Sequence, residues 1–166
     1  MNNKFGFILV KTQLGENIGA CARSMKNFGF SKLHLVSPKI NFPNHKTKAT
    51  SVGAYDIINK AKVFDNVETA IEPFNLVIAL SARRRDIHKR HISLKNFQNI
   101  IKKRKNLKIG LMFGPEASGL SNKDLSFSNH ILHIPTSSNF KSLNLSHSLT
   151  IICYEIFKTI NAKKIK

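Results

Sequence analysis

The sequence predicts an α/β fold built on a mainly parallel sheet flanked by helices. Three observations lead there. Short apolar runs bounded by Gly, Pro, Asn or Ser recur along the chain. Longer stretches with apolar residues at helical spacing separate them. Strand alternating with helix is the pattern that places crossover helices on the faces of a parallel sheet.

The strand candidates are residues 5–10, 32–36, 75–80, 108–113 and 130–135. Residues 5–10 form a compact apolar run, and 32–36 alternates polar with apolar. Between the strands, residues 17–28 place Ile18, Cys21, Ala22, Met25 and Phe28 on one helical face. Asn17 stands where an N-cap belongs, and Gly29 where a left-handed C-cap glycine belongs. Further helices are expected over 52–62, 66–72 and 93–105, the last ending in the basic run Lys102-Lys103-Arg104-Lys105. Cations are favourable at a helix C-terminus. The final helix, 142–160, is amphipathic, with Leu143, Leu145, Leu149, Ile152, Ile156 and Ile160 available to pack; Ser142 or Asn144 could cap it.

With 166 residues, 42% hydrophobic and twelve Phe, the chain is long and apolar enough for one packed core. Residues 1–160 are read as a single domain and 161–166 as a basic, solvated tail. No apolar run is long enough to span a membrane, and no secretory signal is expected. Cys21 and Cys153 alone make neither a disulfide framework nor a metal quartet. A cytoplasmic protein is the expectation.

Charge points to the partner. Lys+Arg number 27 against 9 Asp+Glu, a formal net charge of +18. A phosphate backbone is the commonest polyanion such a surface meets. No helix-turn-helix or zinc finger favours DNA, and RNA is the preferred partner.

In a parallel sheet, ligands bind beyond the carboxyl ends of the strands, so the loops there carry the chemistry. After the first strand comes Gly15-Glu16-Asn17-Ile18-Gly19-Ala20-Cys21-Ala22-Arg23, small residues opening a helix with Arg23 about two turns in. After the third comes Ser81-Ala82-Arg83-Arg84-Arg85, then His88-Lys89-Arg90-His91. So many cations in one short stretch repel one another, and a phosphate relieves that; a mobile, RNA-clamping loop is expected. His88/His91 lack a carboxylate or thiolate to complete a metal site. His130 and His133, three apart in the predicted strand, point to opposite faces. No metal is expected. After the fourth strand comes Phe113-Gly114-Pro115-Glu116-Ala117-Ser118-Gly119-Leu120, with Glu116 its single acid, either a ligand acceptor or a loop organiser. After the fifth comes Ile134-Pro135-Thr136, then Ser142-Leu143-Asn144-Leu145-Ser146. From these residues alone the reading is a basic α/β domain with a small-molecule site at the strand ends.

Taken in this order, Asn17–Arg23, Phe113–Leu120 and Ile134–Ser146 resemble the three motifs of the SpoU/TrmH family of SPOUT-class RNA ribose 2′-O-methyltransferases. Arg23-Ser24-Met25-Lys26-Asn27-Phe28-Gly29 and Leu80-Ser81-Ala82-Arg83 are most like its TrmJ-type branch, which acts on the tRNA anticodon loop. The C-terminal extension usual in that branch is not seen, which leaves the wobble-nucleotide branch open. The resemblance implies a deep C-terminal trefoil knot, a homodimer whose site is completed across the interface, and S-adenosyl-L-methionine as methyl donor. The apolar faces of the first and last helices are the candidate interface. By position, the donor's contacts are Leu80, Ser81, Ala82, Gly114, Glu116, Ile134, Ser142, Leu143 and Asn144. Arg23 matches the family's catalytic arginine, with Ser142 and Asn144 beside it. RNA contacts fall to Asn17, Arg23, Arg83, Arg84, Arg85, His88, Lys89 and Arg90. Arginine stays protonated, so Arg23 is read as gripping the phosphate beside the target ribose rather than as a base. The alternatives are an rRNA ribose or a base nitrogen as acceptor, or a non-catalytic RNA-binding protein of the same fold.

Overall fold

The structure, a computed structural model, describes residues 2–83 and 88–162. Among these residues, seven parallel strands form one sheet: β1 (Phe5–Val10), β2 (Lys32–Val36), β3 (Lys62–Phe64), β4 (Leu76–Leu80), β5 (Arg90–Ile92), β6 (Ile109–Phe113) and β7 (His130–Leu132). Their order across the sheet is β3-β2-β1-β6-β4-β7-β5. Among the described residues, seven α-helices surround it: α1 (Gly15–Asn27), α2 (His45–Ser51), α3 (Tyr55–Lys60), α4 (Val67–Ile71), α5 (Leu94–Lys103), α6 (Asn122–Ser126) and α7 (Leu145–Ile160). None of the described helices is long and apolar enough to cross a membrane.

Side-chain alternation divides the core into two layers. Phe5, Phe7, Leu9, Leu33, Leu35, Ile78, Leu111 and Leu132 pack on one face, against Met25 of α1, Ile57 of α3, Phe97 of α5 and Ile152 of α7. Ile8, Val10, Val36, Val77, Met112 and Ile131 pack on the other, against Val67 of α4 and Leu125 of α6. β1 lies between β2 and β6. It is covered on both faces, and all six of its residues are buried, which is why it reads as a continuous apolar run.

Helix ends follow local chemistry. The side chains of Asn44, Asn66, Ser93 and Asn144 cap α2, α4, α5 and α7. Ser121 and Asp124 form a capping box on α6. α1 closes with a glycine at positive φ: Gly29 has φ 76°, its N–H bonds Lys26 O, and the Phe30 N–H bonds Met25 O.

Several boundaries differ from expectation. α1 begins at Gly15, with Leu14 at the cap position and no side-chain cap. Asn17 is therefore not an N-cap, because its side chain is engaged elsewhere. The helix expected over 52–62 is a 3-10 turn followed by α3, and Lys62 already belongs to β3. β7 stops at Leu132, leaving His133 outside the strand with its Nδ1 3.1 Å from Ser81 O. α7 starts at Leu145, so Ser142 and Leu143 lie in the preceding loop. The sequence pattern passed over α2, β3 and β5, which are short and polar.

Candidate functional site at the carboxyl ends of β4, β6 and β7

A cavity of about 320 Å³ opens where β4, β6 and β7 end. Three stretches wall it: residues 80–83 after β4, 113–120 after β6, and a third running from Leu132 into the first turns of α7. Apolar side chains dominate the interior: Leu80, Leu120, Leu132, Ile134, Leu143 and Leu145. Arg83 and Lys141, both exposed, stand among the lining residues.

The middle wall is fixed by a carboxylate. Glu116 Oε2 accepts the Gln13 N–H at 2.8 Å; its Oε1 accepts the Leu14 N–H at 3.3 Å and Asn17 Nδ2 at 2.8 Å. The Ala117 N–H donates back to Gln13 Oε1 at 3.1 Å. Asn17 Oδ1 in turn accepts Asn144 Nδ2 at 3.1 Å. Asn144 Oδ1 receives the Ser146 N–H and Oγ at 2.8 and 2.7 Å. One polar chain, Glu116–Asn17–Asn144, thus ties the loop after β6 to the starts of α1 and α7. The three bonds to the Glu116 carboxylate are charge-assisted, the stronger class.

Gly114 is needed for a close approach. A Cβ there would lie 2.2 Å from Leu120 N and 2.4 Å from the Gly119 carbonyl carbon, both backbone atoms. Gly119 itself has φ 69°, a value that favours glycine. The two glycines let the loop fold back on itself beneath Leu120.

Of the residues singled out in the sequence, Leu80, Ser81, Ala82, Gly114, Glu116, Ile134, Ser142 and Leu143 line this one cavity, together with Arg83. Asn144 does not line it; its side chain caps α7 and holds Asn17. Asn17 is 6% exposed and committed to Glu116 and Asn144. Arg23 is exposed on α1, outside the cavity, with no hydrogen bond or ion pair among the described residues. The expected basic loop is divided. Arg83 joins the cavity, His88 is exposed, Lys89 is half-buried, and Arg90 opens β5 at the amino end of the sheet. Arg84 and Arg85 lie outside the described residues.

Leu132, Lys141, Leu145 and Ser148 also line the cavity and were not singled out. The three-residue spacing of Leu145 and Ser148, on one helical face, was the available signal. The candidate interface also changes. Ile18, Cys21, Ala22, Met25, Leu149, Ile152 and Ile156 are fully buried within the protomer, so the apolar faces of α1 and α7 are already used against the sheet and each other. Cys21 and Cys153 sit inside this packing, and burial pushes both thiols well above their ordinary range.

The fold and site together define a parallel-sheet α/β protein with a ligand cavity walled by the loops after β4, β6 and β7. The chain belongs to the SpoU rRNA methylase family, whose model matches residues 4–154. It is 34% identical over 161 residues to the tRNA (cytidine/uridine-2′-O-)-methyltransferase TrmJ of Pectobacterium atrosepticum, covering 94% of this chain and 65% of that one. It is 35% identical to the tRNA (cytidine/uridine/adenosine-2′-O-)-methyltransferase TrmJ of Pseudomonas aeruginosa, covering 94% of this chain and 61% of that one. The crystal structure of TrmJ from Z. mobilis ZM4 superposes with a TM-score of 0.87 at 34% identity, covering 93% of this chain and 69% of that one. The chain thus spans 61–65% of the length of these curated relatives.

Proposed function

We propose that this chain transfers a methyl group from S-adenosylmethionine to a ribose 2′-hydroxyl of RNA, in the anticodon loop of tRNA. The observation that carries the reading is the cavity. It gathers in one place residues from three separated stretches, two of them the second and third motifs of the resemblance, and both curated relatives are named as tRNA 2′-O-methyltransferases.

The cavity suits this methyl donor on its own chemistry. An apolar interior takes an adenine ring, and backbone groups of glycine-containing and loop segments offer hydrogen bonds at close range. Leu80, Ser81, Ala82, Gly114, Ile134, Ser142 and Leu143 would hold it. Bound there, it would supply a methyl group activated by its sulfonium sulfur, which departs as a neutral thioether when the methyl is transferred. Glu116 acts through structure: its carboxylate is spent on three donors from the loop before α1 and from α1 itself.

The acceptor hydroxyl is a poor nucleophile while it keeps its proton. Arg23 grips the phosphate beside the target ribose, and that phosphate or a water takes the proton. Positioning the hydroxyl in line with the methyl group supplies much of the rate. Ser142 orients the ribose, and Asn144 fixes the turn that presents Ser142. Arg23 lies outside the cavity of its own chain, which supports a homodimer in which a second copy completes the site. We also place the family's trefoil knot at the C-terminal segment leading into α7.

Methyl transfer from labelled S-adenosylmethionine to bulk tRNA, followed by nucleoside analysis, tests this. A 2′-O-methylated anticodon-loop nucleotide is expected. Arg23→Ala should lower turnover by about 10²-fold or more, the scale of losing one transition-state contact, and leave donor binding intact. Label in rRNA alone would favour the second reading, which the family's rRNA methylase description supports. No donor binding would overturn the catalytic assignment.

A further inference from the structure

A second cavity, of about 270 Å³, lies at the amino ends of the strands, away from the first. Its lining includes Arg90 of β5, His130 of β7, and Asn96, Asn99, Lys103 and Arg104 from α5 and its end. Leu76 of β4 contributes to this groove and Leu80 of β4 to the first cavity. At about 3.3 Å per residue, the two are roughly 13 Å apart along that strand.

The charges here are not explained by the helix alone. Lys103 and Arg104 at the end of α5 complement its dipole. Arg90 comes from a strand, and the topology brings it to the same groove. All three cations are exposed, and none forms an ion pair among the described residues; Lys26, Lys46 and Lys158 do. Among the described residues, no carboxylate lines the groove. Asn96, Asn99 and Lys103 follow helical spacing on one face of α5. His130 sits among them with a buried Nδ1 that has no hydrogen-bond partner among the described residues. Burial first, then the charges of Arg90 and Arg104, lowers its pKa.

We propose that this groove is a second contact for the phosphate backbone of the RNA substrate, with Arg90, Lys103 and Arg104 as the anchoring cations and Asn96 and Asn99 as neutral donors. Guanidinium and ammonium groups converging without an acid recognise phosphate oxygens and reject cations. A site at this end of the sheet holds the RNA by its backbone while the carboxyl end performs the chemistry. The inference rests on the chain acting on RNA.

The test uses the full chain with all three residues neutralised, R90Q, K103Q and R104Q combined. A matched control neutralises Lys60, Lys62 and Lys123, which lie elsewhere; Lys62 is in β3, at the opposite edge of the sheet from β5. Binding to bulk tRNA is followed across salt concentrations, with S-adenosylmethionine binding and thermal unfolding measured alongside. The groove variant should bind tRNA about 10–100-fold more weakly, and its log–log salt slope should flatten by about 2–3. Donor affinity and unfolding should match the parent, and the control should keep its slope. An unchanged slope in a folded groove variant overturns the proposal and leaves the catalytic reading standing. An equal loss in the control also overturns it, because diffuse surface charge then explains the binding. Failure of the parent chain to bind RNA overturns both.

Discussion

Two of the three stretches that wall the cavity at the ends of β4, β6 and β7 are held in opposite ways. The loop after β6 is bonded across the molecule: Glu116 receives donors from Gln13, Leu14 and Asn17, and Ala117 bonds Gln13. It runs directly into the Ser121–Asp124 capping box. The loop between β7 and α7 is held at its ends, by His133 against Ser81 and by Asn144 against Asn17. Between them its bonds are local: Thr136 Oγ1 to Lys141 O at 3.3 Å and the Phe140 N–H to Ser137 O at 3.3 Å. Phe140 is 79% exposed there. One wall is built before any ligand arrives. The other has exposed side chains and, among the described residues, no long-range hydrogen bond along its middle, the pattern of a segment with low local stability.

The largest effect should come from breaking the rigid wall. Gly114→Ala forces a Cβ onto the backbone of Gly119 and Leu120. Such overpacking costs about 3 kcal/mol or more, a fall of roughly 6–12 °C in a melting curve. A melting temperature equal to the parent's would show that this wall is not fixed by backbone contact.

Glu116→Ala should follow. It removes the acceptor for three donors and lowers stability by about 2–3 kcal/mol, with Glu116→Gln milder because one amide oxygen still accepts. Donor affinity should fall with it, since the loop loses its tie to α1. Unchanged denaturant midpoints in both variants would assign the loop's order to its glycines alone.

Phe140→Ala should change stability by less than about 0.5 kcal/mol. Amide exchange should slow in residues 134–143 when S-adenosylmethionine binds and change little in 114–120. Equal protection of both loops without ligand would erase the contrast.

The smallest effect provides a reference away from both loops. His34 is buried between Phe64 and Phe74, with Nδ1 2.8 Å from Ala70 O. Burial is the main cause that lowers its pKa, and Lys62 and Lys32 add to it. The unfolded ring takes a proton near pH 6.5, so the stability held in this site is complete above that value. It declines as pH falls toward the lower folded-state pKa. An NMR titration should find His34 neutral below the usual histidine range, and an ordinary pKa would refute the burial argument.

The buried parallel strands β1 and β2 were legible to the residue, β1 by the continuous apolar run that covering on both faces requires and β2 by its alternation of polar with apolar residues. β3 and β5 were not. Their sequences, Lys-Val-Phe and Arg-His-Ile, carry charge and offer three residues each, and pairing with β2 and β7 makes them strands. α2 hid behind a polar sequence, His-Lys-Thr-Lys-Ala-Thr-Ser, in which Thr47 and Ser51 are nonetheless buried. Asn17 looked like a cap because its type and position fit one. Glu116, ninety-nine residues away, offers a stronger partner, and the helix starts earlier without a side-chain cap.

The sequence by itself determined the fold class, the basic character and the three motifs, since hydrophobic period, charge count and Gly/Pro placement are local properties. Tertiary structure decided which motif residues share a cavity, what Asn17, Asn144 and Glu116 bond to, and that Arg83 and Arg90 stand at opposite ends of the sheet. Those outcomes depend on strand order and on contacts between residues roughly one hundred positions apart, which no local pattern encodes.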